Sequence, residues 1–215
     1  MGAWAQAAVR AGFVAAALVL WFWTQRLIGR KAAPADGIGD RLHELTAGMH
    51  AWLSARPAAA NALLVATSAL IDLFGLYLLG AAVFGPTTRP FVALILVMGA
   101  RQVCQGLTSL PAPKGIIWRD PGVPSLLVTY GVSNDFFFSG HTATAVLGAM
   151  ELARQGPPWL GAAAAVVATA EMAAVVILRA HYFVDVFAAV FVTWGCDVLA
   201  ARAAPWVDAC LHAVR

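Results

Sequence analysis

Two short stretches carry residue types that can handle a phosphoryl group. The first is Asp135-Phe136-Phe137-Phe138-Ser139-Gly140-His141-Thr142, where two small residues precede a histidine. The second is Arg179-Ala180-His181-Tyr182-Phe183-Val184-Asp185, where a histidine stands four residues before an aspartate. On a helix, that spacing puts His181 and Asp185 on one face. A carboxylate beside an imidazole fixes its tautomer and stabilises its protonated form. The far ring nitrogen then becomes a better nucleophile or base. Arg179 adds a planar, permanently charged donor suited to phosphate oxygens. Ser139 and Gly140 are small enough to let backbone approach an anion at a helix N-terminus, where free N–H groups favour negative charge. His141 is then placed to give a proton to a leaving group. Either stretch alone also fits a structural hydrogen bond or half of a metal site. Their conjunction on one face is what points to chemistry.

The elements that must position these residues are membrane helices. Of the 215 residues, 61% are hydrophobic and 12% are charged, with a mean hydropathy of +0.76. Soluble domains carry about 25% charged residues, so this chain has too little polar surface for water. The net charge of +3 is not clustered, which excludes a nucleic-acid patch and suits anionic head groups. Six segments are long and apolar enough to span a bilayer, which takes about 20 residues. They are Ala7–Ile28, Ala58–Phe84, Phe91–Leu110, Phe136–Ala153, Pro158–Leu178 and Tyr182–Ala201. Without period-two alternation these runs read as helices, not barrel strands. The expectation is an all-α, polytopic, integral membrane protein: one domain over residues 1–215 with six transmembrane helices. The first run ends in Trp21-Phe22-Trp23 and is followed by Arg26, Arg30 and Lys31, which reads as a retained span and not a cleaved signal.

Span counting puts both histidine stretches, and both long connectors, at the same membrane face. That face is rich in Arg and Lys, but a phosphate site needs cations of its own, so charge does not orient the protein. In the first connector, Lys31 to Asp40 reads as loop. Leu42, Leu45, Met49, Trp52 and Leu53 then form one apolar stripe, as on a helix lying at the interface. His43 and His50 within it read as wet surface histidines. The second connector, Pro111 to Asn134, has the proline and glycine content of a long functional loop. Its Trp118 reads as an interfacial anchor, ahead of a lid over a head-group cation. Cys104, Cys196 and Cys210 form no C-x-x-C pair and read as small buried hydrophobes. Asp72, Arg101, Glu171 and Asp197 fall inside apolar runs, where an Asp or Arg costs about 2.5–3.5 kcal/mol on insertion scales. Arg101 could reach a recessed site or pair with a carboxylate. Asp72 and Glu171 either pair structurally or line a head-group cavity. Asp197, about 18 Å along a helix from Asp185 at 1.5 Å per residue, reads as reaching the opposite surface.

These motifs resemble the type 2 phosphatidic acid phosphatase superfamily, six-span enzymes built on Ser-Gly-His and His-x-x-x-Asp. The chain looks closest to the sphingomyelin synthase branch and the related phosphatidylcholine:diacylglycerol cholinephosphotransferases. Asp135 and Phe138 to Thr142 match that branch's Asp-x-x-Phe-Ser-Gly-His-Thr. His181, Tyr182, Asp185 and Val186 match its second motif. Arg101, Thr108, Ser109, Leu110, Pro111 and Pro113 match its third span and the segment after it. The resemblance covers residues 101–201. It departs from the phosphatases: Met49 and Ala82 stand where they carry a Lys seven residues before Arg-Pro, and Val175 stands where they carry an Arg. Phe183 replaces the transferases' usual Thr. The resemblance implies head-group transfer from a phosphatidylcholine-like or phosphatidylethanolamine-like donor to a lipid alcohol, ceramide or diacylglycerol. His181 would form a phosphohistidine steadied by Asp185. His141 would serve as acid and then base, and Arg101, Arg179, Ser139 and Gly140 would hold the phosphoryl oxygens. It implies no metal or cofactor, and an oligomer is allowed. A lipid phosphate phosphatase and a non-catalytic transporter are the rival readings.

Overall fold

The computed structural model describes residues 2–30, 38–130 and 136–213. The described residues are helical, with no strand: α1 (Ala3–Gly29), α2 (Arg41–Leu45), α3 (Ala47–Ser54), α4 (Pro57–Phe84), α5 (Arg89–Leu107), α6 (Gly140–Gln155), α7 (Pro158–Ile177) and α8 (Phe183–Ala213). In lipid the backbone must satisfy its own hydrogen bonds, and uninterrupted helices do so. Proline opens α4, α5 and α7 at the first or second position, where no helical N–H partner is lost.

Five helices are long and apolar enough to cross a membrane: α1, α4, α5, α7 and α8. The chain is thus an integral, multi-pass membrane protein. The expected fourth span is realised differently, as the 16-residue α6. At 1.5 Å per residue it is about 24 Å long, short of the ~30 Å hydrocarbon core. It carries His141, Thr142, Thr144 and Glu151 buried. These polar groups are tolerable because α4, α5, α7 and α8 all pack around it and keep lipid away. Small residues make that packing close. Ala145 and Ala149 of α6 meet Ala164 and Ala168 of α7, and a Cβ on Gly161 would lie 2.8 Å from Ala153.

The sixth expected span ends at Ala201, but α8 runs on to Ala213 through Pro205. Its extension is tied to the α4–α5 turn, where Asp208 accepts from the Thr87 hydroxyl (2.6 Å) and the Thr88 backbone N–H (2.8 Å). Cys196 is buried as expected, Cys104 is half-buried and Cys210 is exposed on this extension; all three are free. Helix α1 packs on α4 and α5, and its tip is held where Arg10 donates to the Gly85 carbonyl at 2.8 Å.

The expected interfacial helix is two helices, α2 and α3, meeting at Thr46. Asp40 caps α2, accepting from the N–H groups of Leu42 and His43. Leu45, Met49 and Trp52 face outward, while Leu53 joins the core. The opposite side of the pair lies over the end of α7, which corrects the surface reading of its histidines. His43 and His50 are buried. The His50 ring meets the Ile177 carbonyl at 2.9 Å, and the His43 ring meets the His181 carbonyl at 3.0 Å. A helix C-terminus leaves carbonyls without helical partners, and His50 supplies a donor to one of them.

Candidate active site

The two histidine stretches meet. Ser139, the N-cap of α6, donates its backbone N–H to the Asp185 carbonyl at 3.2 Å, joining the start of α6 to the start of α8. His141 on the first turn of α6 and His181 before α8 line one cavity of about 400 Å³. His181 Nδ1 lies 3.5 Å from Asp185 Oδ2, within ion-pair range but longer than a hydrogen bond. Such contacts are often loose before substrate binds. Asp185 is fully buried, and its Oδ2 accepts from the Tyr182 N–H at 2.8 Å. This orientation turns Nδ1 of His181 toward the carboxylate and leaves Nε2 for other work.

Arg101 reaches the same cavity from α5. It donates Nε to the Phe138 carbonyl at 2.8 Å. Gly140 is what admits it: a Cβ there would stand 3.3 Å from Arg101 Nε and 3.4 Å from Cζ. Two imidazoles and a guanidinium from three separate elements thus line a single pocket, with the buried carboxylate of Asp185 behind the His181 ring. Among the described residues, His141 Nε2, His181 Nδ1 and Asp185 Oδ1 are buried without hydrogen-bond partners. Buried polar atoms are rarely left so unless function uses them.

The AtPDCT1/2 family model matches residues 40–202, which is most of the chain and takes in every residue just named. The chain belongs to the AtPDCT1/2 family. The family takes its name from phosphatidylcholine:diacylglycerol cholinephosphotransferase, and membership makes the chain a membrane enzyme of lipid head-group transfer. Comparison with curated proteins and with solved structures returned no match.

Within this AtPDCT1/2 member, the other expected site residues are placed as follows. Ser139 spends its hydroxyl on capping α6, accepting from the Thr142 N–H at 3.2 Å. Arg179 does not line the cavity. It stands at φ 55° in the turn after α7 and donates to the Lys114 carbonyl (2.9 Å) and the His43 carbonyl (3.4 Å), so it ties the two connectors to that turn. Asp72 also lies off the cavity. Its carboxylate accepts from the N–H groups of Leu126 and Leu127, both at 2.8 Å, pinning the second connector to α4. Glu171 is buried within α7, away from the cavity lining, with Oε2 lacking a partner. Asp197 meets two arginines at the opposite end, as described below. Asp135 of the first motif lies outside the described residues, as do 31–37 of the first connector.

Two further contributors are placed by the structure, of which the sequence offered Trp118 only second, as a lid, and Asp40 not at all. Trp118 is no outward anchor: it lines the cavity, stands edge-on to His141 with centroids 5.0 Å apart, and stacks on Tyr130 at 5.1 Å. Its ring N–H donates to the Thr129 carbonyl at 3.3 Å, which fixes the ring. Burial lifts the Tyr130 phenol above its ordinary range, partly offset by its bond with Ser68, so it stays protonated. Asp40 is the second. Besides capping α2 it accepts from the Phe183 N–H, and with His43 it brackets the His181 turn. An Asp before a helical stretch is a legible cap signal, but nothing in the sequence says which distant turn it also holds.

Proposed function

We propose that this enzyme moves a phosphocholine head group from a phosphatidylcholine donor to the hydroxyl of diacylglycerol by double displacement on His181. In the first step His181 Nε2 attacks phosphorus, the bond from phosphorus to the donor's glycerol oxygen breaks, and His141 gives that oxygen its proton. Asp185 stabilises the imidazolium through Nδ1. In the second step the acceptor hydroxyl passes its proton to His141, its oxygen attacks phosphorus, and the N–P bond breaks. Arg101 offers two-pronged positive charge to the phosphoryl oxygens in both steps. The observation that carries this reading is that His141, His181 and Arg101, from three separate elements, line one cavity with Asp185 behind one ring. The apolar remainder of that cavity suits lipid substrates.

The test is transfer of label. Phosphatidylcholine labelled in its choline, mixed with diacylglycerol carrying a distinguishable chain, should yield labelled phosphatidylcholine bearing the acceptor's chains. Ceramide in place of diacylglycerol reads acceptor choice. Release of free phosphocholine or inorganic phosphate without transfer would instead make water the acceptor, and the phosphatase reading would stand.

A further inference from the structure

The cavity extends far beyond the histidines. From Arg101 and Gln102 its wall follows α5 down through Met98 and Ile95 to Phe91, about 15 Å at 1.5 Å per residue. That is half of a ~30 Å hydrocarbon core. Helix α1 forms the facing wall over a similar length, from Thr24 to Val14, and α4 closes the back at Ile71, Gly75 and Leu79. Helix α1 lies outside the matched family region, residues 40–202. The slot is also open sideways: Leu20 on α1 and Ile95 on α5 both line it and are 59% and 43% exposed. Below the polar groups it is a narrow apolar space, one leaflet deep, whose side opening faces lipid.

Two further features give the slot a chemical character. Gly99 lines it about 3 Å along α5 from Arg101, and a Cβ built there meets nothing within 4 Å, so the space beside α5 is open near its polar end. Trp21 and Gln102 line its upper part, and Trp21 Nε1 and Gln102 Oε1 are buried without hydrogen-bond partners.

We infer that this α1–α5 slot is the acyl-chain subsite for a diacylglycerol-based lipid, entered sideways from the leaflet. Its depth sets chain selection, and α1 supplies that selection. The inference rests on the head-group-transfer reading only for the name of the lipid.

Gly99→Phe and the milder Gly99→Leu fill the slot without touching the histidines, and both replace a helix glycine by a better helix former. In the transfer assay, the ratio of rates for dipalmitoyl over dioctanoyl donor should fall about tenfold or more in Gly99→Phe and less in Gly99→Leu. Retained dioctanoyl activity reports a folded enzyme. A phosphatidylcholine with a diazirine at its chain end should label Val14, Leu79 or Phe91 in the wild type and lose that label in Gly99→Phe. Labelling needs no turnover, so it separates the two ideas. Wild-type labelling without head-group transfer keeps the slot and sinks the proposed reaction. Transfer with unchanged chain preference in both Gly99 variants, or label placed elsewhere, overturns the slot.

Discussion

The molecule buries charge at both ends, and it treats the carboxylates of the two ends differently. At the end away from the histidines, Asp197 of α8 accepts from Arg89 of α5 (3.1 and 3.3 Å) and from Arg154 of α6. Arg154 also donates to Glu151 at 2.9 Å, and Glu151 accepts from Gln155 as well. Asp197 and Glu151 are each 3% exposed, yet both oxygens of each carboxylate are engaged. At the histidine end, the rings and one oxygen of Asp185 keep unused capacity. The far cluster fastens α5, α6 and α8 to one another. The near one is held through backbone bonds, and hydrogen-bonding capacity on both rings and on Asp185 stays unmet. A charge in a membrane protein therefore says little by its presence; what matters is whether its partners are already met.

This contrast can be broken at either end. The largest effect is expected from His181→Ala, which should lower transfer by at least about 10³-fold because the proposed nucleophile is lost. His141→Ala should cost about 10²- to 10⁴-fold in kcat, the usual share of a general acid–base group. Arg101→Met should cost about 10²- to 10³-fold as one phosphoryl donor is removed. Both are read in the same labelled-lipid assay. Asp197→Asn should do the reverse. It removes the charge that pairs Arg89 and weakens the hold on Arg154, which keeps Glu151, so stability in detergent should fall by at most about 3–5 kcal/mol, while the folded fraction keeps its kcat. If Asp197→Asn removed activity at wild-type stability, the division between the two ends would be wrong. The smallest effect is expected from His43→Phe. Losing its bond to the His181 carbonyl should cost about 1–3 kcal/mol of local order and appear as a lower kcat with little change in KM.

Much of this was legible in the sequence, for identifiable reasons. Hydropathy placed every long helix to within a few residues at most ends, because lipid permits few alternatives to helix. Span parity put Ser139-Gly140-His141 and His181-x-x-x-Asp185 at one face, and the folded chain ties them together through Ser139 and Asp185. The short length of α6 was hidden because apolar Phe136-Phe137-Phe138 ahead of it is not helical. Arg179 looked like a phosphate ligand by proximity, but its φ of 55° turns the chain, and its guanidinium goes to two loop carbonyls. His43, His50, Trp118 and Asp72 are set by which loop crosses which helix end. Residue spacing within a segment carries no record of that. Nor could hydropathy distinguish a helix that only faces lipid from α1, which also walls the cavity.

The most direct test of the account is to trap the intermediate. Enzyme incubated with phosphatidylcholine labelled at phosphorus, without acceptor, then quenched in base and digested, should carry acid-labile label on the peptide containing His181, and the label should disappear on adding diacylglycerol. His141→Ala should slow its formation, and His181→Ala should carry none. Label on another residue, or undiminished transfer by His181→Ala, would contradict the assignment of His181 as the group that takes the phosphocholine.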